Sequence, residues 1–130
     1  MNKPEKIKYW TTIAEYDLKT AQAMLETKRF IYVGFMCHQV IEKMLKALYS
    51  KIFNETPPYT HNLIFLCEKC GLLDKIDQSK RDIINELIPL NIEARYPGYK
   101  KEIFKKLDNQ KATKILENTK FLYKWIKNML

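Results

Sequence analysis

Met36-Cys-His-Gln-Val-Ile-Glu-Lys-Met-Leu-Lys-Ala-Leu-Tyr-Ser50 is the stretch on which the fold turns. It contains no Gly or Pro and is rich in good helix formers, so it reads as helix. At about 100° per residue, Val33, Cys37, Val40, Ile41, Met44 and Leu48 share one broad arc. His38, Gln39, Glu42, Lys43 and Lys46 share another. The first arc requires a core. The second gathers an imidazole, an amide, a carboxylate and two ammonium groups within three turns. Spacing alone favours a solvated face for it, because Glu42 and Lys46 form an i,i+4 pair of the favourable order. The sharper reading is a polar groove for an anionic ligand.

The neighbouring segments supply partners for the apolar arc. Upstream, Ile7, Trp10, Ala14, Leu18, Ala21 and Leu25 repeat at steps of three and four, which predicts an amphipathic first helix with Asp17 beside its stripe. Thr27-Lys-Arg-Phe30 interrupts the pattern, and the second helix is expected from about Arg29 or Tyr32 to Phe53. So short a connection makes the two helices antiparallel neighbours. Pro57 and Pro58 exclude helix, and Thr60 is the expected N-cap of a short helix from Leu63 to Cys70, closed by Gly71. On this reading His61 lies in the first turn.

A further helix begins near Asp77 or Ser79, buries Ile83, Ile84, Leu87 and Leu90, and kinks or ends at Pro89. Pro97-Gly98 is a turn signal, and Tyr99 to Leu107 reads as a loop or surface turn. The last helix is the clearest, with Ala112, Ile115, Thr119, Leu122, Ile126 and Met129 in register and its lysines mainly off the stripe. Together these segments predict one all-α domain over residues 1–130, an up-and-down four-helix bundle with an additional short helix.

Composition agrees. The 130 residues are 46% apolar and 29% charged, and only three Gly and five Pro argue against a turn-rich β fold. No apolar run approaches the roughly 20 residues of a membrane span. No leader-like apolar stretch follows Met1, so a cytoplasmic location is expected. The three cysteines suit a reducing compartment. Cys67-Glu-Lys-Cys70 has the spacing of a metal pair, but lacks a second such pair, and i,i+3 cysteines on a helix more often pack as small core residues. No metal or cofactor is expected. Of the net charge of +8, most comes from residues 99–130, where nine lysines face three acidic residues. Such a surface suits RNA, nucleotides or an acidic protein partner.

Four stretches in order resemble the HEPN family of nucleotide-binding helical domains. His38-Gln-Val-Ile-Glu-Lys-Met-Leu-Lys-Ala47 resembles its second-helix signature, and Ala14-Glu-Tyr-Asp-Leu18 with Ala21 resembles its first helix. Pro57-Pro-Tyr-Thr-His61-Asn-Leu63 to Leu66 and Ala94-Arg95-Tyr96-Pro97 resemble two further segments. The resemblance covers nearly the whole chain. It implies a nucleotide- or phosphate-binding groove built from His38, Glu42, Lys43, Lys46, His61, Arg95 and Tyr96. Arg forks onto phosphate oxygens, Lys adds point charge, His can move protons and Tyr can stack on a base.

Many relatives are metal-independent ribonucleases, often toxins, marked by Arg and then His after four to six residues. That motif is absent. Arg95 is followed in the allowed window by Lys100, Lys101 and Glu102; Arg81 by Glu86, Leu87 and Ile88; Arg29 by Gly34, Phe35 and Met36. No catalytic residue is therefore assigned. The resemblance instead implies a non-catalytic homodimer, partner of a small nucleotidyltransferase in a toxin–antitoxin-like pair. A ribonuclease with a non-standard site and a plain dimerisation module are the alternatives.

Overall fold

Asn2 starts the first helix, its Oδ1 accepting from the Glu5 backbone N–H at 2.9 Å, with Pro4 in the opening turn where its missing donor costs nothing. From there the computed structural model, which describes residues 1–95 and 105–130 without the side chains of 92–95, contains five helices and no strand among the described residues. They are α1 (Lys3–Glu26), α2 (Phe30–Phe53), α3 (Leu63–Lys69), α4 (Gln78–Arg95) and α5 (Asn109–Lys127). The all-α expectation and its short extra helix are borne out.

Cross-links between helices set the directions. Lys6 Nζ donates to the Asn54 carbonyl at 3.2 Å, tying the start of α1 to the end of α2. Lys120 reaches Gln22, and Tyr123 and Lys127 reach Glu15, so α5 runs antiparallel to α1. Lys80 lies against Phe121 and Trp125, while Glu86 and Leu87 share a crevice with Ile115, so α4 and α5 are antiparallel too. The four long helices therefore alternate up and down.

α2 is the central member. It touches each of the other four helices, α1 most extensively. Its apolar arc is fully covered: Val33, Cys37, Val40, Ile41 and Met44 are each at 0% exposure. α1 lays Ala14 and Ala21 against it, and α5 contributes Ala112, Ile115, Leu116, Leu122 and Ile126. The two small alanines on α1 allow close approach of the backbones. Cys67 and Cys70 are buried beside this core, as the packing reading expects, and Cys70 Sγ donates to the Leu45 carbonyl at 3.5 Å. Burial pushes their thiols up to about 11 and about 12, and that of Cys37 to about 12.

Two local expectations are corrected and a third is narrowed. The cap of α3 is Asn62, whose Oδ1 accepts from Phe65 N–H at 3.0 Å; Thr60 instead accepts from Asn62 N–H. Both residue types suit a cap, and the helix start at Leu63 puts Asn62 at the N-cap position. His61 consequently precedes the helix. Of the two outcomes expected at Pro89, a kink or an end, the end is excluded, since α4 continues to Arg95. The lost backbone bond is tolerated because Leu87 and Leu90 on either side are buried in the core. Finally, Lys105 and Lys106 are helical, whereas the rest of the expected loop before Leu107 lies outside the described residues. No described helix is long and apolar enough to cross a membrane.

Candidate functional site

The polar arc of α2 is not a solvated face. His38, Gln39, Glu42 and Lys46 are all buried, with Glu42 at 0% exposure. The cause is the position of α2 rather than its own sequence: α1, α4 and the loop before α3 close over the arc. A sequence signal for this existed. On the same wheel, Ile31, Phe35 and Tyr49 fall within the polar arc, and apolar groups on both sides of a helix indicate burial all round.

Glu42 organises the cluster. Its Oε1 accepts from His61 Nδ1 at 2.8 Å and lies 3.8 Å from His38 Nδ1. Its Oε2 accepts from Lys46 Nζ at 3.0 Å and Lys43 Nζ at 3.3 Å. Burial alone would raise the carboxyl's pKa. Lys43 and the hydrogen bonds from His61 and Lys46 outweigh that and hold it below the ordinary value. Glu42 is thus ionised at neutral pH and can only accept, so His61 carries a proton on Nδ1, leaving Nε2 as the nitrogen Glu42 does not use.

The network extends in both directions. Lys43 Nζ also donates to Gln39 Oε1 at 2.9 Å, and Gln39 Nε2 donates to Asn91 Oδ1 on α4 at 3.0 Å. Lys46 Nζ lies 5.4 Å from the centroid of the Trp10 ring on α1, a cation–π contact in a desolvated setting. Asp17 on α1 faces the same cluster. Burial raises its pKa, Lys43 opposes the shift and Glu42 reinforces it. Asp17 therefore feels the charges of the cluster without an ion pair or hydrogen bond to it among the described residues.

The cluster has one open edge. The side chain of His61 is 42% exposed and that of Lys43 16%, against 7% for Lys46. Tyr59, entirely exposed, has its ring centroid 6.4 Å from that of His61. An aromatic face, an imidazole and an ammonium group are thereby offered to solvent together. The structure brings His38, Glu42, Lys43, Lys46 and His61 to one place. The Arg95 side chain and Tyr96 lie outside the described residues, although α4 carries position 95 one turn beyond Asn91. Gln39, already read on the polar arc, links Lys43 to Asn91, and Asn91 and Trp10 join the network without being expected as site residues. Among the described residues no group of His, Cys, Asp or Glu has the arrangement of a metal site.

Comparison with known proteins gives the family. No curated protein sequence matches the chain. Among solved structures, the crystal structure of TT1696 from Thermus thermophilus aligns with a TM-score of 0.81 at 17% identity, covering 96% of this chain and 98% of that one. At this identity the likeness speaks for the fold alone. A model of the HEPN domain matches residues 7–129, spanning nearly everything from α1 to α5, and includes all the segments that build the Glu42 cluster. The chain therefore belongs to the HEPN domain family.

Proposed function

We propose that this HEPN domain is a non-catalytic binding partner, taking a nucleotide or an RNA phosphate at the open edge of the Glu42 cluster, in company with a small nucleotidyltransferase of a toxin–antitoxin-like pair. The observation that carries this reading is the gathering of Lys43, Lys46 and His61 around one buried carboxylate, with His61 and Lys43 reaching solvent. Burying such a cluster adds little or nothing to stability compared with an apolar packing. Ionisable groups clustered in this way beside an opening favour a site. In the proposed complex Lys43 and Arg95 meet phosphate, Tyr59 or Tyr96 stacks on the base, and Glu42 orients Lys46 and His61 from behind with His38.

The test is calorimetric titration of adenine and guanine nucleotides into the parent and into Lys43→Ala and His61→Ala. Binding is expected to weaken about tenfold or more in each variant, as for loss of a charge-assisted contact, and His61→Ala should also lower the melting temperature, since it takes a donor from the buried Glu42 carboxylate. A parent protein that binds no nucleotide, or variants that bind as well as the parent, would remove the reading.

A second reading, a metal-independent ribonuclease with its own site, is favoured by the same 2.8 Å contact. A carboxylate holding Nδ1 leaves the other imidazole nitrogen available for proton transfer. Cleavage of labelled RNA in the presence of chelator, lost in His61→Ala, would select it over the binding role. We also propose a homodimer, since Tyr9, Tyr16, Ile52 and Phe53 are exposed. Light scattering at micromolar concentration should give twice the chain mass; a monomer mass rules the dimer out.

A further inference from the structure

The outward face of α5 carries a ladder of groups separate from the Glu42 cluster. Ala112, Ile115, Thr119, Leu122 and Ile126 turn inward. The opposite line runs through Lys114, Glu117, Phe121 and Lys124, all exposed. Steps of three and four set neighbours on this line about 5–6 Å apart at Cβ. Phe121 sits at its apex with 53% of its surface exposed.

One cation lies over that ring. Lys80 of α4 places its Nζ 5.5 Å from the Phe121 centroid and 5.1 Å from that of Trp125. Lys120 and Lys127 are held by α1, through Gln22 at 3.2 Å and Glu15 at 3.5 Å. The ammonium groups of Lys114 and Lys124, in contrast, have no hydrogen bond or ion pair among the described residues. Glu117 is the one acidic residue of α5, against five lysines. Towards the start of the helix, Lys106, Asp108, Gln110, Lys111 and Lys114 line a shallow depression of about 320 Å³.

We propose that this face binds single-stranded polynucleotide, with Phe121 stacking on a base and Lys114 and Lys124 contacting phosphates on either side of it. Charge selects a polyanion, and the aromatic group selects among polyanions. A duplex keeps its base faces internal, and an acidic peptide has no base to stack, whereas every base of a single strand has a face to offer. Lysines that carry no other contact are free to neutralise phosphates, which releases counterions held by the strand. This surface uses none of the residues of the Glu42 cluster and extends beyond the mononucleotide reading.

The test is fluorescence anisotropy of the full chain with a labelled uridine oligonucleotide of about 12 nucleotides, titrated over a range of salt. Phe121→Ala should weaken binding about tenfold. The double variant Lys114→Glu with Lys124→Glu should weaken it by at least about tenfold at low salt and make the slope of log K against log salt shallower by about two. Phe121→Ala and the double lysine variant should still bind mononucleotide like the parent in the calorimetric titration, which separates this face from the Glu42 cluster. All three α5 positions are exposed, and unchanged melting curves confirm that binding alone is being read. No binding by the parent at low salt, or parental affinity in the variants, overturns the proposal. So does equal competition by a duplex or by polyglutamate, either of which would mark a face selecting charge alone.

Discussion

Glu42→Gln should lower stability by about 3–5 kcal/mol at neutral pH, the range for breaking a buried ion pair by removing one partner. The amide fills the same space but leaves Lys46, at 7% side-chain exposure, and Lys43 without the charge that compensates them. For a domain of this size the change corresponds to a fall in melting temperature of about 10–20 °C. Its pH dependence identifies the cause. The folded-state pKa of Glu42 lies below the ordinary value of 4.5. Its contribution is therefore fully present above that value and is lost as pH falls through the folded one. A protonated Glu42 is close to a glutamine, so the difference between parent and variant should shrink towards zero in acid. Subtracting the two profiles also cancels Asp77, shifted in the same direction, whereas Asp17, shifted oppositely and in part by Glu42 itself, changes with the variant. Denaturant unfolding from neutral pH down to about pH 3 checks this; a difference independent of pH would show that shape, not charge, had been lost. Glu42→Leu combined with Lys46→Met should recover much of the stability, because an apolar pair avoids the desolvation of both charges.

Gly34→Leu is expected to cost about 3 kcal/mol, at the upper end for overpacking a filled core. A Cβ at position 34 would already come within 2.9 Å of Leu90 Cδ1 and 3.4 Å of its Cβ. Two effects compete in Gly34→Ala. Helix propensity favours alanine by about 1 kcal/mol. The contact opposes it, but Cδ1 is the end of a side chain that can turn away by a few tenths of an ångström. The alanine variant should therefore lie within about 1 kcal/mol of the parent. A leucine adds three more carbons where α2 and α4 cross, and rotation of one side chain cannot absorb them. Urea unfolding of Gly34→Leu, Leu90→Ala and the double variant tests the assignment. The double variant should be more stable than the sum of the single losses; simple additivity would place the strain elsewhere.

The two experiments probe helix contacts of different legibility. The apolar arc of α2 could be read residue by residue, because a 3.6-residue period states which side chains share a face. The same period cannot say what lies opposite. His61 meets Glu42 across 19 residues and Asn91 meets Gln39 across 52, and neither distance leaves a trace in local spacing. The cap of α3 was misplaced for a different, local reason. Thr60 and Asn62 both have side chains able to accept the first free N–H groups, but with a start at Leu63 the N-cap position is that of Asn62.

Local chemistry alone was sufficient for the five helices α1 to α5, their order, the shortness of α3 and the core stripe. Those features follow from propensity, period and breakers acting over a few residues, and the short α1–α2 connection leaves little topological freedom. The character of the polar arc was a tertiary matter. His38, Glu42, Lys43 and Lys46 would form an ordinary solvated face on an isolated helix, with the lysines worth a few tenths of a kcal/mol each as surface pairs. Enclosure by α1, α4 and the His61 loop removes the water that would screen them. The same carboxylate and ammonium groups then become a coupled cluster, because the energy of a charge depends on the dielectric around it, which belongs to the assembled fold.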